Sequence, residues 1–216
     1  MNKRVVIAGA GHAAGQVVAS LRQHEFDGEI VLVGDEPFLP YQRPPLSKKF
    51  LAGEMPAERL YVKPASFYEE AGVELHLETK IEAIDRDSQS LFTATGETIS
   101  YNTLVLALGS HVRRLPVDGV DLPGVHYLRS IADVEGMREC FDKGRRLVVI
   151  GAGYIGLEVA AVARQSGLDV TVVEMADRVM SRVVSPEVSD YYQIEHTNQG
   201  VKLRLSTGVT EITGKR

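Results

Sequence analysis

The chain is predicted to be an α/β protein built on two copies of one strand–turn–helix–strand unit, with an antiparallel β meander between them. Three observations carry this. Arg4-Val5-Val6-Ile7-Ala8-Gly9-Ala10-Gly11 runs into a helical pattern ending near His24, and Glu29–Val33 follows as a second apolar run. Arg146-Leu147-Val148-Val149-Ile150-Gly151-Ala152-Gly153 runs into Tyr154–Ser166, and Asp169–Val173 follows. Continuous rather than alternating apolar strands, spaced by helices, indicate parallel sheets covered on both faces. Between the copies the periodicity shortens and turn residues multiply, which is the pattern of a meander.

The elements follow in order. In each unit a glycine, Gly28 or Gly167, stands where the helix is expected to stop. Residues 37–64, rich in proline and charge, read as a loop with short helical turns, and 65–72 as one brief helix. Residues 73–77, 80–85 and 91–101, with Thr95-Gly96 as a turn, suggest antiparallel strands. Residues 103–109 read as a further buried strand ending in glycine. The pattern breaks at Arg113-Arg114-Leu115-Pro116, so the domain boundary is placed near 112–119. Residues 131–143 are expected as a helix with Leu128, Val134 and Met137 inward, 184–199 as another, and 201–213 as two short strands.

Composition narrows the function classes. The 216 residues carry Lys+Arg 24 against Asp+Glu 29, a formal charge of −5, and are 44% hydrophobic. Mild acidity speaks against nucleic acid held by bulk charge. No run reaches membrane-spanning length, and the N-terminal apolar run breaks at Gly9, Gly11 and His12, unlike a secretory signal. A cytoplasmic protein with no membrane partner is expected. The single cysteine, Cys140, expected on a surface helix in an ordinary packing role, excludes a disulfide framework, a four-cysteine zinc site and a CxxC redox pair within this chain. His196 has no partner at ligand spacing, and no metal site is expected.

The glycine turns supply the chemistry. In this pattern the first glycine makes the tight turn, the second admits a pyrophosphate to the backbone, and the third lets helix and strand pack closely. The phosphates meet the free N–H groups and dipole of a helix N-terminus. Gly151, Gly153 and Gly156 fill all three places in the second unit. Glu174 ends the next strand, where a carboxylate accepts from the adenosine ribose and repels a 2′-phosphate, favouring NAD over NADP. In the first unit Gly9 and Gly11 are followed by Ala14, with His12 and Ala13 between. There the acid comes one residue later: Asp35 is assigned the ribose, with Glu36 as the fallback. Two such Rossmann-like units imply two dinucleotides.

With both units placed, the chain resembles the FAD-dependent, NADH-utilising ferredoxin reductases of bacterial oxygenase systems, relatives of the apoptosis-inducing factors. The resembling stretches are residues 5–14, Leu39-Pro40-Tyr41-Gln42-Arg43-Pro44-Pro45-Leu46-Ser47-Lys48, Leu104-Val105-Leu106-Ala107-Leu108-Gly109-Ser110, and residues 148–158. The Arg-Pro-Pro-Leu-Ser-Lys segment is the most specific, because a fold-level match would not require it.

The resemblance implies a glutathione-reductase-like arrangement, with 1–115 as the first segment of an FAD domain and 116–216 as an incomplete NADH domain. It further implies that the chain is truncated before a later FAD segment and an interface domain. Arg43 would lie against the FAD phosphates, Lys48 near the flavin, Ala107 and Gly109 beside the cofactor, and Arg129 at the flavin. Leu108 stands where the family often has threonine. Tyr154 would cover the flavin until nicotinamide displaces it, with Ile155 and Gly156 following. Glu158 would meet the nicotinamide carboxamide and pair with Lys48, and Arg182 would contact NADH. Lys48, Glu158 and Tyr154 are thus the expected catalytic group.

The activity implied is hydride transfer from NADH to FAD, then single electrons to a [2Fe-2S] ferredoxin for a cytochrome P450 or a ring-hydroxylating oxygenase. A rubredoxin or a nitrite-type acceptor is an alternative, and a nucleotide-binding, redox-responsive module without turnover is another. The oligomeric state is left open.

Overall fold

The computed structural model describes residues 3–214, which form two compact units. The first comprises the chain up to Arg43 together with Ala57–His111. The second comprises Pro44–Pro56 and the chain from Val112 onward.

In the first unit, β1 (Arg4–Ala8) leads through the glycine turn into α1 (His12–Gln23) and back to β2 (Glu29–Val33). A 3-10 turn at Ala57–Leu60 and α2 (Ala65–Glu70) precede β3 (Val73–His76). The antiparallel β4 (Ile81–Asp85), β5 (Ser90–Thr93) and β6 (Thr98–Ser100) follow, and β7 (Thr103–Leu106) closes the unit. The main sheet runs β3-β2-β1-β7, all parallel. Its two faces feed two cores. Val5, Ile7, Ile30 and Leu32 pack with Ala14 and Val18 of α1 and with Tyr68, while Val6, Val31 and Val33 pack with Leu91 and Ile99 of the meander. The two central strands β1 and β2 therefore bury both side-chain sets, which is why their sequences are apolar without alternation.

Two expectations are corrected here. The run at 73–77 is not antiparallel but the parallel edge strand β3, pairing Ile30 with Val73 through Val33 with His76. The run at 103–109 is not a buried strand: β7 is the other edge, with Leu106 at 59% exposure. The stop of α1 also differs. Glu25 takes the left-handed conformation (φ 56°), whereas Gly28 is required because a Cβ there would stand 2.2 Å from the Lys3 carbonyl oxygen.

The second unit contains α3 (Ile131–Arg138), β8 (Arg146–Ile150), α4 (Tyr154–Gln165), β9 (Asp169–Val173), α5 (Pro186–Asn198) and β10 (Lys202–Arg204). Its sheet runs β10-β9-β8, parallel throughout. A core of Leu157, Ala160, Ala163, Leu168, Val170, Val172, Val179, Met180 and Val201 joins α4 to the sheet. Ser130 and Asp133 form a reciprocal capping box that starts α3, with Ile131, Val134 and Met137 buried. The helix ends at Arg138, short of the expected 143, so Cys140 lies after it rather than on it. Its Sγ is 3.8 Å from His126 Nε2. At 201–213 only one strand forms, with Glu211 adding an isolated bridge to Asp118.

The sequence assigns the whole of 1–115 to the first domain, but Pro44–Pro56 sits in the second unit. The physical reason is local anchoring. The Arg138 guanidinium donates to the Phe50 carbonyl and lies 4.7 Å over its ring, and Leu46, Phe50 and Leu51 are buried. Among the described residues no helix is long and apolar enough to cross a membrane.

Candidate functional site

The two glycine turns have the same construction. Gly9 (φ 105°) and Gly151 (φ 104°) lie in the left-handed region, and each amide donates to the end of the neighbouring strand, to Val33 O at 2.7 Å and Val173 O at 2.8 Å. A Cβ at Gly9 would meet the Ala107 carbonyl oxygen at 2.2 Å, so the end of β7 closes directly against the first turn. Gly11 and Gly153 are the N-caps of α1 and α4, and among the described residues no side chain caps either helix. A Cβ at either would meet nothing within 4 Å. Free first-turn N–H groups facing open space, with small or exposed residues beside them (His12 and Ala13; Tyr154 and Ile155), fit a diphosphate in each unit.

The third position distinguishes the units. In the second, a Cβ on Gly156 would stand 2.0 Å from Gly151 O, so only glycine allows the helix to seat against its own turn. In the first, Ala14 occupies this place and is fully buried.

The acids at the strand ends divide equally clearly. Glu174 Oε2 accepts from the Ala152 amide at 2.7 Å and Oε1 from the Ala176 amide at 2.9 Å. Both oxygens are fixed over the turn, and each keeps acceptor capacity for a ribose hydroxyl. The matching place in the first unit is Gly34, where the Ala10 methyl would sit 2.3 Å from a Cβ. That crowding displaces the acids one and two positions along. Glu36 is turned toward its neighbours: Oε2 accepts from Tyr41 Oη at 2.5 Å and Oε1 from Arg43 at 2.6 Å. Asp35 is exposed and among the described residues its carboxylate is held by no such bond, so it is free to turn toward a ribose whereas Glu36 is fixed on Tyr41 and Arg43.

In the second unit, Lys48 Nζ lies 2.8 Å from Glu158 Oε2 and donates to the Pro44 carbonyl at 3.1 Å. Ser47 Oγ donates to the same Glu158 oxygen at 2.5 Å. Sequence reasoning paired Lys48 with Glu158 but missed Ser47, because a serine following a Pro-Pro-Leu turn has no spacing signature of its own.

The remaining residues are placed as follows. Arg43 is engaged by Glu36 and Tyr41 and lies 4.9 Å over the Tyr41 ring. Gly109 (φ 69°) and the exposed Leu108 follow Ala107. Arg129 contributes its amide to Asp133 Oδ2 at 2.8 Å, tying it to the α3 cap. Tyr154 is half-exposed at the start of α4, and Arg182 is exposed ahead of α5. Among the described residues no three metal-ligating side chains cluster.

Comparison with known proteins agrees with this construction. The model of the pyridine nucleotide-disulphide oxidoreductase family matches residues 3–216. Rhodocoxin reductase of Rhodococcus erythropolis is 48% identical over 208 residues, covering 96% of this chain and 49% of the relative. Putidaredoxin reductase, in its covalent complex with putidaredoxin, superposes with a TM-score of 0.95 at 40% identity, covering 99% of this chain and 52% of the other. The ferredoxin reductase of the CYP199A2 system from Rhodopseudomonas palustris gives a TM-score of 0.94 at 45% identity, covering 99% and 53%. The chain thus spans about half the length of these relatives. With two like glycine turns, their strand-end acids and this match along its length, the chain belongs to the pyridine nucleotide-disulphide oxidoreductase family.

Proposed function

We propose that the chain carries the FAD-binding turn, in the first unit, and the NADH-binding domain, in the second, of a reductase that delivers electrons to a [2Fe-2S] ferredoxin serving a cytochrome P450 or a ring-hydroxylating oxygenase. The observation that carries this reading is the pair of open, uncapped helix starts at Gly11 and Gly153, each with its own acid, Asp35 or Glu174. A protein using one dinucleotide needs one such turn. The names of the relatives, reductases of rhodocoxin, of putidaredoxin and of a P450 system, support the acceptor class.

Bound together, the two cofactors supply hydride transfer from nicotinamide to flavin and its onward release as single electrons. The chain's own residues bind and orient. Amides of residues 11–14 and 153–156 receive the two diphosphates. Asp35 and Glu174 accept from the adenosine riboses, and Glu174 disfavours a 2′-phosphate by charge. Lys48 holds a positive charge toward the flavin, Glu158 orients the nicotinamide carboxamide, and Tyr154 covers the nicotinamide place until it is filled. Arg43, Ala107, Gly109 and Arg129 are assigned to FAD, and Ile155, Gly156 and Arg182 to NADH. A dependence on NADH and an unpaired thiol suit the cytoplasm.

The test is the visible spectrum of the purified protein before and after anaerobic NADH. Flavin bands that bleach on addition are expected, and a colourless protein overturns the reading. Adding a [2Fe-2S] ferredoxin or a rubredoxin to the reduced protein then identifies the acceptor by which of the two is reduced.

A further inference from the structure

The Lys48–Glu158 pair alone would be a poor positioning device. The two side chains are 49% and 28% exposed, and ion pairs of that kind are screened and rotationally loose. A third group changes this. Ser47 is 3% exposed, and its single hydroxyl hydrogen is spent on Glu158 Oε2 at 2.5 Å, a charge-assisted bond made out of water. We propose that Ser47 is a positioning residue for the reaction: it locks the Glu158 carboxylate so that Oε2 faces Lys48 and Oε1 stays open to a ligand donor.

The geometry supports each step. Ser47 ends the 3-10 turn Pro44–Ser47, in which both prolines fix φ. The turn is closed by Lys48 and Phe50 amides donating to Pro45 O at 3.0 and 3.1 Å, and Arg138 clamps Phe50 just beyond it. The hydroxyl therefore projects from a rigid frame. Ser47 and Lys48 converge on one oxygen of Glu158, and among the described residues no donor reaches the other. Oε1 is the half of the carboxylate left to a carboxamide N–H. Lys48 Nζ spends two of its three hydrogens on Pro44 O and Glu158, so one remains to point outward. A misplacement of the order of 1 Å in such a pair slows a positioned reaction by about a hundredfold.

The inference rests on the reductase reading, and its test separates the two. The FAD-loaded protein is prepared as wild type, Ser47→Ala, Ser47→Cys and Ser47→Thr. Ser47→Ala and Ser47→Cys are also made on Glu158→Gln. Ser47→Cys keeps the volume and weakens the donor, and Ser47→Thr keeps the hydroxyl. The expected result is a rate of flavin reduction at saturating NADH lowered about tenfold in Ser47→Ala and Ser47→Cys, with recovery in Ser47→Thr. The midpoint potential of the bound flavin is expected to move in the first two variants. On Glu158→Gln the same changes at position 47 are expected to add nothing, because Ser47 acts through Glu158. Wild-type rates and potential in Ser47→Ala and Ser47→Cys, or an equal further loss on Glu158→Gln, overturn the proposal and leave the reductase reading standing. A wild-type protein that binds no flavin overturns the reductase reading, and this proposal with it.

Discussion

Glu174 and Ala152 are joined by a carboxylate–amide hydrogen bond of 2.7 Å that ties the end of β9 to the middle of the second glycine turn. With the Ala176 amide on its other oxygen, the carboxylate is oriented before any nucleotide arrives. Pre-oriented acceptors lose little entropy on binding, so much of their hydrogen-bond energy appears as affinity and selectivity. Glu174→Arg is expected to weaken NADH binding about tenfold or more and to shift preference toward NADPH. Glu174→Gln, which keeps one acceptor for the turn amides, serves as the folding control. Titration with both nucleotides checks this, and unchanged discrimination would remove Glu174 from the ribose role.

The 2.0 Å gap between a Cβ on Gly156 and the Gly151 oxygen leads to a second expectation. Gly156→Ala must push α4 away from its own turn, an overpacking that costs about 1–3 kcal/mol. In a chain of 216 residues that unfolds as a whole, each kcal/mol lowers the melting temperature by about 2–4 °C. Weaker NADH binding should accompany the loss, because the amides of the first helical turn move with the helix. Calorimetry and NADH titration measure the two effects, and an alanine variant of wild-type stability would show that the turn relaxes freely.

What was legible in the sequence follows the range of the interactions. Both βαβ units were readable because strand, turn and helix are set by residues within about twenty positions of one another. The parallel placement of Val73–His76 was not, because its partner β2 lies forty residues earlier and its half-exposed pattern carries no direction. Residues 131–143 read as one helix, yet α3 stops at Arg138, ahead of the Gly144 turn. The Lys48–Glu158 pair came from resemblance alone. Ser47, 111 residues from Glu158, became visible only when the 3-10 turn and α4 were placed in one unit.

His196 supplies an expectation for pH. It is buried on α5, near-parallel to the Tyr192 ring, and burial holds its pKa below the ordinary 6.5 despite the opposing pull of Glu195. A depressed folded-state pKa means that the unfolded chain binds more protons in the interval below 6.5. Stability is therefore full above that value and falls as pH drops through the folded pKa. His196→Gln should flatten the decline in melting temperature between about pH 6.5 and pH 5, where carboxylates still remain ionised. Melting curves of the two proteins across that range decide it, and parallel declines would assign the sensitivity elsewhere.

Lys48→Ala tests directly the flavin-side role proposed for Lys48. Its ammonium is held by the Pro44 carbonyl at 3.1 Å and Glu158 at 2.8 Å, both in the second unit, so its place does not depend on a bound cofactor. A fixed positive charge stabilises negative charge that accumulates beside it during reduction, and does so without reorganising at the moment of reaction. Lys48→Ala removes that charge and leaves Glu158 to Ser47 alone. Anaerobic stopped-flow should show flavin reduction by NADH slowed about tenfold or more, with a more negative flavin potential. NADH affinity should change much less, because the diphosphate amides and Glu174 are untouched. Wild-type rate and potential in Lys48→Ala would reduce the lysine to a brace for the Pro44–Ser47 turn, whereas a loss confined to affinity would move its role from the flavin to the nucleotide.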